Sequence, residues 1–297
     1  MAIDLSDLAA ANPERDYRAL RRAGGLRLMR CRCQAGRQDR GCDEQHLAYS
    51  VTLIERGALS YRTRAGRAVL SPGWLMLGNA GEGYVCSHEL NDGSGDDCVV
   101  LSLSRQTLDD AVDALALPRS ASGFDRASLP PSPRVAALLS ALRTGGDEEG
   151  FALEETALAV IADVQRALHD GAAPAPLPRQ DERALAAAHC IETRAAEPLS
   201  LDEVAQEVGL GAFHLMRVFR RAIGVTPHQY LMRVRLLRAM ALLRDTAQPV
   251  TEIAYEAGWS DLSNFTRTFG RDVGCSPGAF RRGDKRLLGE RRLRSTV

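Results

Sequence analysis

Hydrophobic and polar positions divide the chain into two regimes. Between residues 26 and 104 the apolar residues come in short runs such as HLAYSVTLIERG, ALSYRTRAG, RAVLSPGWLMLGN and DDCVVLSLS. Gly, Pro, Asn and Asp bound these runs, which predicts an antiparallel all-β module. Further along the period lengthens. Leu138, Leu139 and Leu142, then Leu153, Leu158, Ile161, Val164 and Leu168, recur at helical spacing, with TGGDEEG separating the two stretches. They predict two amphipathic helices over residues 129–170. Such helices either cover their own sheet or pair with a second subunit, so the segment is a candidate dimerisation element. A weaker break, LPPSP, precedes them, and GAAPAPLP at 171–178 reads as a linker. The division is then 1–128, 129–170, a linker at 171–180, and 181–297. The expected class is α+β.

The last segment contains one pattern twice. LDEVAQEVGLGAFHLMRVFRRAIGVTPHQYL starts at Leu201, and VTEIAYEAGWSDLSNFTRTFGRDVGCSPGAFR starts at Val250. Val204 and Ala205 match Ile253 and Ala254; Gly209 matches Gly258; Leu215 matches Phe265; Arg217 matches Arg267. Phe219 matches Phe269, Gly224 matches Gly274, and Pro227 matches Pro277. Each copy reads as a helix, a glycine turn and a second helix that carries Arg. That is the helix-turn-helix layout, whose second helix enters the DNA major groove. Leu215, Val218 and Phe219, and in the second copy Phe265 and Phe269, form the expected buried stripes. The opposite face of the second copy holds Ser, Asn, Thr and Arg, which suits base edges and phosphates. Pro227 opens a connecting helix between the copies. Six residues separate Gly209 from Leu215 and seven separate Gly258 from Phe265, so the two turns differ.

Over about 100 residues, roughly 195 to 285, this pattern resembles the AraC/XylS family of transcription regulators. EIAYEAGWSDLSNFTRTFGRDVGCSPGAFR carries the likeness most strongly. The resemblance implies a seven-helix domain with both recognition helices in successive major-groove segments. Carried over by position, the base readers are Phe213, Met216 and Arg217 in the first copy. In the second they are Leu262, Ser263, Asn264, Thr266 and Arg267. Phe213 and Met216 are apolar where polar readers are usual; they suit thymine methyls. The implied partners are promoter DNA, RNA polymerase and a second copy of the chain.

Charge sharpens the division. The chain has 38 basic and 38 acidic residues, but from Arg179 onward there are 19 Lys and Arg against 14 Asp and Glu. A net zero therefore hides a basic C-terminal part and an acidic remainder, as expected if one part meets nucleic acid. The basic tail RRGDKRLLGERRLRSTV is expected to add phosphate contacts. No apolar run has membrane-spanning length and no signal segment opens the chain, so a cytoplasmic protein without membrane contact is expected.

Seven cysteines in such a protein argue for free thiols, metal ligands or redox sensing rather than disulfides. Cys31 and Cys33, Glu44 and His46, and Cys86 and His88 are each two apart, so on a strand each pair shares a face. NDGSGDD precedes Cys98 and turns the chain back. Cys86, His88 and Cys98 are thus expected to converge on zinc or another divalent metal, with Cys33 or His46 as the fourth ligand. Asp92, Asp96 and Asp97 are expected to keep that end wet and negative. Oxidation-sensitive thiols or an organic-effector pocket remain alternatives, and Cys190 and Cys275 read as core. The turn SPGW at Ser71–Trp74 resembles the small cupin barrel that often precedes AraC-type domains, which implies a cupin-like β-barrel sensor with flanking helices.

No phosphate-cradling glycine loop with Lys and no HExxH occurs in the chain, and the GxSxG match GCSPG at 274–278 is part of the second repeat copy. The reading is a non-enzymatic, ligand-responsive DNA-binding regulator. Its rival is a metal-dependent cupin enzyme fused to a DNA-binding domain.

Overall fold

The computed structural model describes residues 15–35, 41–88, 95–114, 123–144, 150–170 and 180–283. The expected linker at 171–178, Asp92 and the basic tail beyond residue 283 lie outside these. The chain forms two compact units: residues 1–130 with 142–173, and residues 131–141 with 174–297.

The first unit is built on strands β1 (Arg15–Ala23), β2 (Leu26–Cys33), β3 (Cys42–Gln45), β4 (Tyr49–Arg56), β5 (Leu59–Thr63), β6 (Gly66–Leu70), β7 (Leu75–Gly78), β8 (Gly83–Ser87), β9 (Asp96–Leu103) and β10 (Ser128–Leu129). They form a six-stranded sheet, β1-β2-β9-β4-β7-β10, and a four-stranded sheet, β3-β8-β5-β6. The pairings are antiparallel, and neither sheet closes on itself among the described residues. The short apolar runs became β4 to β7 and β9, as their alternation required. β1 (RDYRALRRA) was not legible: it is an Arg-rich edge strand with no fully buried position. Helix α1 (Arg105–Ala114) follows β9. Helix α3 (Gly150–Asp170) lies against β1, β2, β10 and α1.

Helix α2 (Pro133–Thr144) is the first of the two amphipathic helices. Up to Ala141 it groups with the second unit, whereas α3 groups with the first. Leu153, Ile161, Val164 and Leu168 of α3 are buried, and Leu158 of the same stripe is exposed.

Seven helices, α4 (Gln180–Thr193), α5 (Leu201–Glu207), α6 (Ala212–Ile223), α7 (Pro227–Asp245), α8 (Val250–Glu256), α9 (Leu262–Val273) and α10 (Pro277–Arg281), make the rest of the second unit. Their ends follow the repeated residues. Gly224 and Gly274 take left-handed conformations (φ +87° and +96°) and stop α6 and α9. Thr226-Pro227 and Ser276-Pro277 then start the next helix. Each hydroxyl accepts a backbone N–H, from Gln229 and Ala279, and each proline occupies the first turn. Ser200 and Glu203 form a reciprocal cap on α5. Phe219, Tyr230, Phe265 and Phe269 are fully buried, and the Tyr230 hydroxyl donates to Glu192 on α4. Cys190 and Cys275 are buried, as their apolar context required.

Candidate nucleic-acid interface and a thiol-lined cavity

The two glycine turns close in the same way. Leu210 N–H donates to Ala205 O (2.8 Å), and Trp259 N–H donates to Ala254 O (3.0 Å). The chains then diverge. After Leu210 comes Gly211, which starts α6 without a side-chain cap. After Trp259 come Ser260 and Asp261, whose carboxylate accepts from Ser263 N–H (2.8 Å). The one-residue offset in the sequence is this extra residue before a capped second recognition helix.

Burying Leu215, Val218, Phe219 and Ile223 on α6 turns Phe213 (87 % exposed), Met216 (39 %) and Arg217 outward. Burying Phe265, Thr268, Phe269 and Val273 on α9 exposes Ser263, Asn264, Thr266 and Arg267 and leaves Leu262 half-buried. Arg267 Nη2 donates to Asn264 Oδ1 (3.4 Å), so the two polar side chains stand together. Of the eight residues carried over from the family resemblance, seven are thus exposed on two matched helices and Leu262 is half-buried.

The N-terminal unit holds a cavity of about 90 Å³ between its two sheets. Along β2 and β9 the pairing sets Cys31 opposite Cys98 and Cys33 opposite Asp96. These four residues share the buried face. Arg30, Arg32 and Asp97 occupy the other face. From the second sheet, β8 contributes Cys86, and His88 follows it. Cys31, Cys86, His88, Asp96 and Cys98 all line the cavity. His88 Nε2 lies 2.8 Å from Asp96 Oδ1, and Cys98 Sγ donates to Asp96 Oδ2 (3.2 Å). Burial pushes the Cys31 and Cys86 thiols up to about 12. Burial, and then the Asp96 carboxylate, also push the Cys98 thiol well above its ordinary range.

Several expectations need correction. His46 lines the same cavity but is held elsewhere. Its ring stacks on Tyr84 at 4.1 Å, and Nε2 lies 2.6 Å from Tyr61 Oη. The Tyr61 hydroxyl donates to Leu77 O (3.0 Å), so Nε2 carries the proton of its own bond and is no metal ligand in this arrangement. Burial, then Arg15, lowers His46 to about 4. Glu44 is gripped by Arg15 through two bonds (2.7 and 2.8 Å) and accepts from Tyr84 (2.7 Å). The Glu44-x-His46 pair is therefore committed to this network. Asp96 and Asp97 are buried strand residues rather than a wet loop. Asp97 meets Arg32 (2.8 Å), Arg56 (3.1 Å) and Arg30 (3.5 Å). Burial alone would raise its carboxyl, but the Arg32 bond and the three guanidinium charges outweigh that and hold it low.

A helix-turn-helix domain family matches residues 204–283. The HTH-type transcriptional activator RhaS of Escherichia coli O139:H28 is 39% identical over 93 residues, 31% of this chain and 34% of the relative. RhaS of Enterobacter sp. strain 638 is also 39% identical over 93 residues. Residues 204–283 are a helix-turn-helix domain of the AraC/XylS type. The chain spans about a third of the length of these curated relatives. Among solved structures, the AraC-type regulator of Chromobacterium violaceum is 29% identical, with 34% of this chain and 91% of that chain covered and a TM-score of 0.33. The C-terminal domain of AraT from Geobacillus stearothermophilus is 26% identical, with 35% and 88% covered and a TM-score of 0.34. The relatives named here are transcriptional activators. The AraC-type domain thus contains both helix-turn-helix copies and all eight candidate readers. No described helix is long and apolar enough to cross a membrane.

Proposed function

We propose that the chain is a sequence-specific transcription regulator whose sheet-rich N-terminal unit receives a signal and whose AraC-type domain binds promoter DNA. One observation carries this reading: two matched recognition helices in one unit, each with its apolar side buried and its Arg-bearing side exposed. Two interlayer sheets around a small cavity support a cupin-like sensor, although the strands stay in two separate sheets. The signal acts by favouring one arrangement of the protein with higher or lower DNA affinity. Promoter occupancy with RNA polymerase and self-association belong to the same reading. α3 places most of its apolar stripe inside its own unit, so self-association uses other surfaces.

The test is selection of duplexes from random DNA by the full-length protein, followed by affinity measurements at increasing salt. A single enriched motif is expected, bound through several phosphates. Affinity should then fall about 10³-fold or more between roughly 50 and 200 mM salt. Failure to enrich any motif refutes the reading.

A further inference from the structure

We propose that Cys33, His88, Asp96 and Cys98 form a binding site for one zinc-like divalent cation that bridges the two N-terminal sheets. Cys33, His88 and Asp96 each place a ligand atom within 4.8 Å of the others, and they are 3%, 2% and 3% exposed. Cys98 Sγ reaches the second oxygen of the same carboxylate at 3.2 Å. Around a tetrahedral zinc, bonds of about 2.0–2.3 Å hold ligand atoms about 3.3–3.8 Å apart. Cys33, His88 and Asp96 are close to that spacing, and Cys98, held against Asp96, would complete the shell by turning its side chain toward them. Thiolate, imidazole and carboxylate together suit zinc and do not suit the all-oxygen shells of magnesium or calcium.

The backbone explains why these residues meet. Cys33 ends β2 and pairs directly with Asp96, which begins β9. Cys98 is two residues further along β9 and therefore on the same face. His88 follows β8 in the other sheet, so the ion would join the sheets where their strands end.

Charge favours a cation over a purely apolar core. Packing alone would place an apolar residue at 96, because a buried carboxylate is costly even with an imidazole (His88, 2.8 Å) and a thiol (Cys98, 3.2 Å) against it. Arg15, which lines the same cavity, is neutralised by its two bonds to Glu44. The three arginines on the outer face engage Asp97, not Asp96. Size points the same way. The cavity of about 90 Å³ is well below the roughly 300–1,000 Å³ typical of organic-ligand pockets. On binding, Cys33 and Cys98 each release a proton to solvent and coordinate as thiolates, while His88 coordinates as the neutral imidazole.

The site stands on this geometry and does not depend on the regulatory reading. It is tested on the metal-free full-length protein with Co²⁺ and Zn²⁺ alone. Cobalt should bind one per chain, with thiolate-to-metal charge-transfer absorption and the intense visible bands of a four-coordinate ion. Zinc, measured by competition with a chromophoric chelator, should displace it and raise the melting temperature of the N-terminal unit. Cys33→Ser and the near-isosteric Asp96→Asn should each weaken zinc binding at least about tenfold. His46→Gln and Cys190→Ser should bind as the parent does. A wild-type cobalt complex without thiolate absorption overturns the proposal, whatever the folding of the variants. So does unchanged affinity in a folded Cys33→Ser or Asp96→Asn protein.

Discussion

Replacing Gly258 with alanine should damage the AraC-type domain far more than the same change at Gly209, although the repeat makes the two positions equivalent. Both glycines are left-handed, with φ of +94° and +65°. Alanine in that conformation costs about 1–2 kcal/mol. At Gly209 nothing else is met: a Cβ there has no neighbour within 4 Å. At Gly258 a Cβ would stand 2.4 Å from Ala195 O, 2.8 Å from Arg235 Nε and 3.0 Å from Ala196 Cα. It would intrude on the bond that Arg235 Nε donates to Ala195 O (2.8 Å), and Arg235 also holds Glu197 O (2.8 Å). These bonds tie α7 to the segment between α4 and α5, and a charged bond of this kind is worth about 1.5–3 kcal/mol. Gly258→Ala should therefore cost about 3–5 kcal/mol and Gly209→Ala about 1–2. Urea unfolding of the full chain in a Trp74→Phe background lets Trp259 report on this domain. With a slope near 2 kcal/mol/M, the midpoint should fall by about 2 M for Gly258→Ala and by less than about 1 M for Gly209→Ala. Asn tolerates the left-handed region, so Gly209→Asn should recover part of its loss and Gly258→Asn should not. Equal midpoints for the two alanine variants would refute the close approach at Gly258 and leave φ as the sole requirement.

Two further outcomes follow from the surfaces and the buried histidine. Arg267→Ala should weaken binding to the selected duplex by about 1–3 kcal/mol, roughly 5- to 150-fold, and relax the motif at one position. Arg244→Ala, whose side chain pairs with Asp245 on α7, should leave both unchanged; an unaltered motif with Arg267→Ala removes that residue from the readers. His46 is lowered from 6.5 to about 4, so below its unfolded pKa the unfolded chain takes up the proton first and stability falls with falling pH. Between pH 7 and pH 5 the wild type should lose about 2 kcal/mol more than His46→Phe, and parallel urea midpoints at the two pH values would count against the neutral, buried imidazole.

The helical unit was almost wholly legible because its signals are local. Thr226-Pro227 and Ser276-Pro277 announce helix starts, Gly224 and Gly274 announce stops, and 3.6-residue spacing separates Phe265 from Arg267. The strands were legible too, apart from polar β1. Their assembly was not. That β9 sits between β2 and β4, or that β8 pairs with β3 and β5, depends on contacts between distant residues that no local pattern encodes. The arrangement of the described strands in two sheets, neither closed on itself, is of that kind. The division of α2 and α3 between units is likewise a matter of what each helix meets, which their similar periodicities do not reveal.

The thiols, histidines and acids of the N-terminal strands show where the limit lies. A period of two tells which residues share a face but not which face is inside, and it says nothing about the strand opposite. Cys86 with His88, and Cys31 with Cys33, were therefore paired correctly in the sequence, while His46 was grouped with them although Tyr61 and Tyr84 hold it. Asp96 and Asp97 look alike in NDGSGDD, a stretch that reads as a wet turn. Pairing with β2 makes them opposites. Asp97 points to the face of Arg30, Arg32 and Arg56, where its charge is matched threefold. Asp96 points inward, opposite Cys33, with His88 at 2.8 Å and the Cys98 thiol at 3.2 Å. One residue of register separates a surface ion-pair network from the inward carboxylate on which the proposed cation site rests.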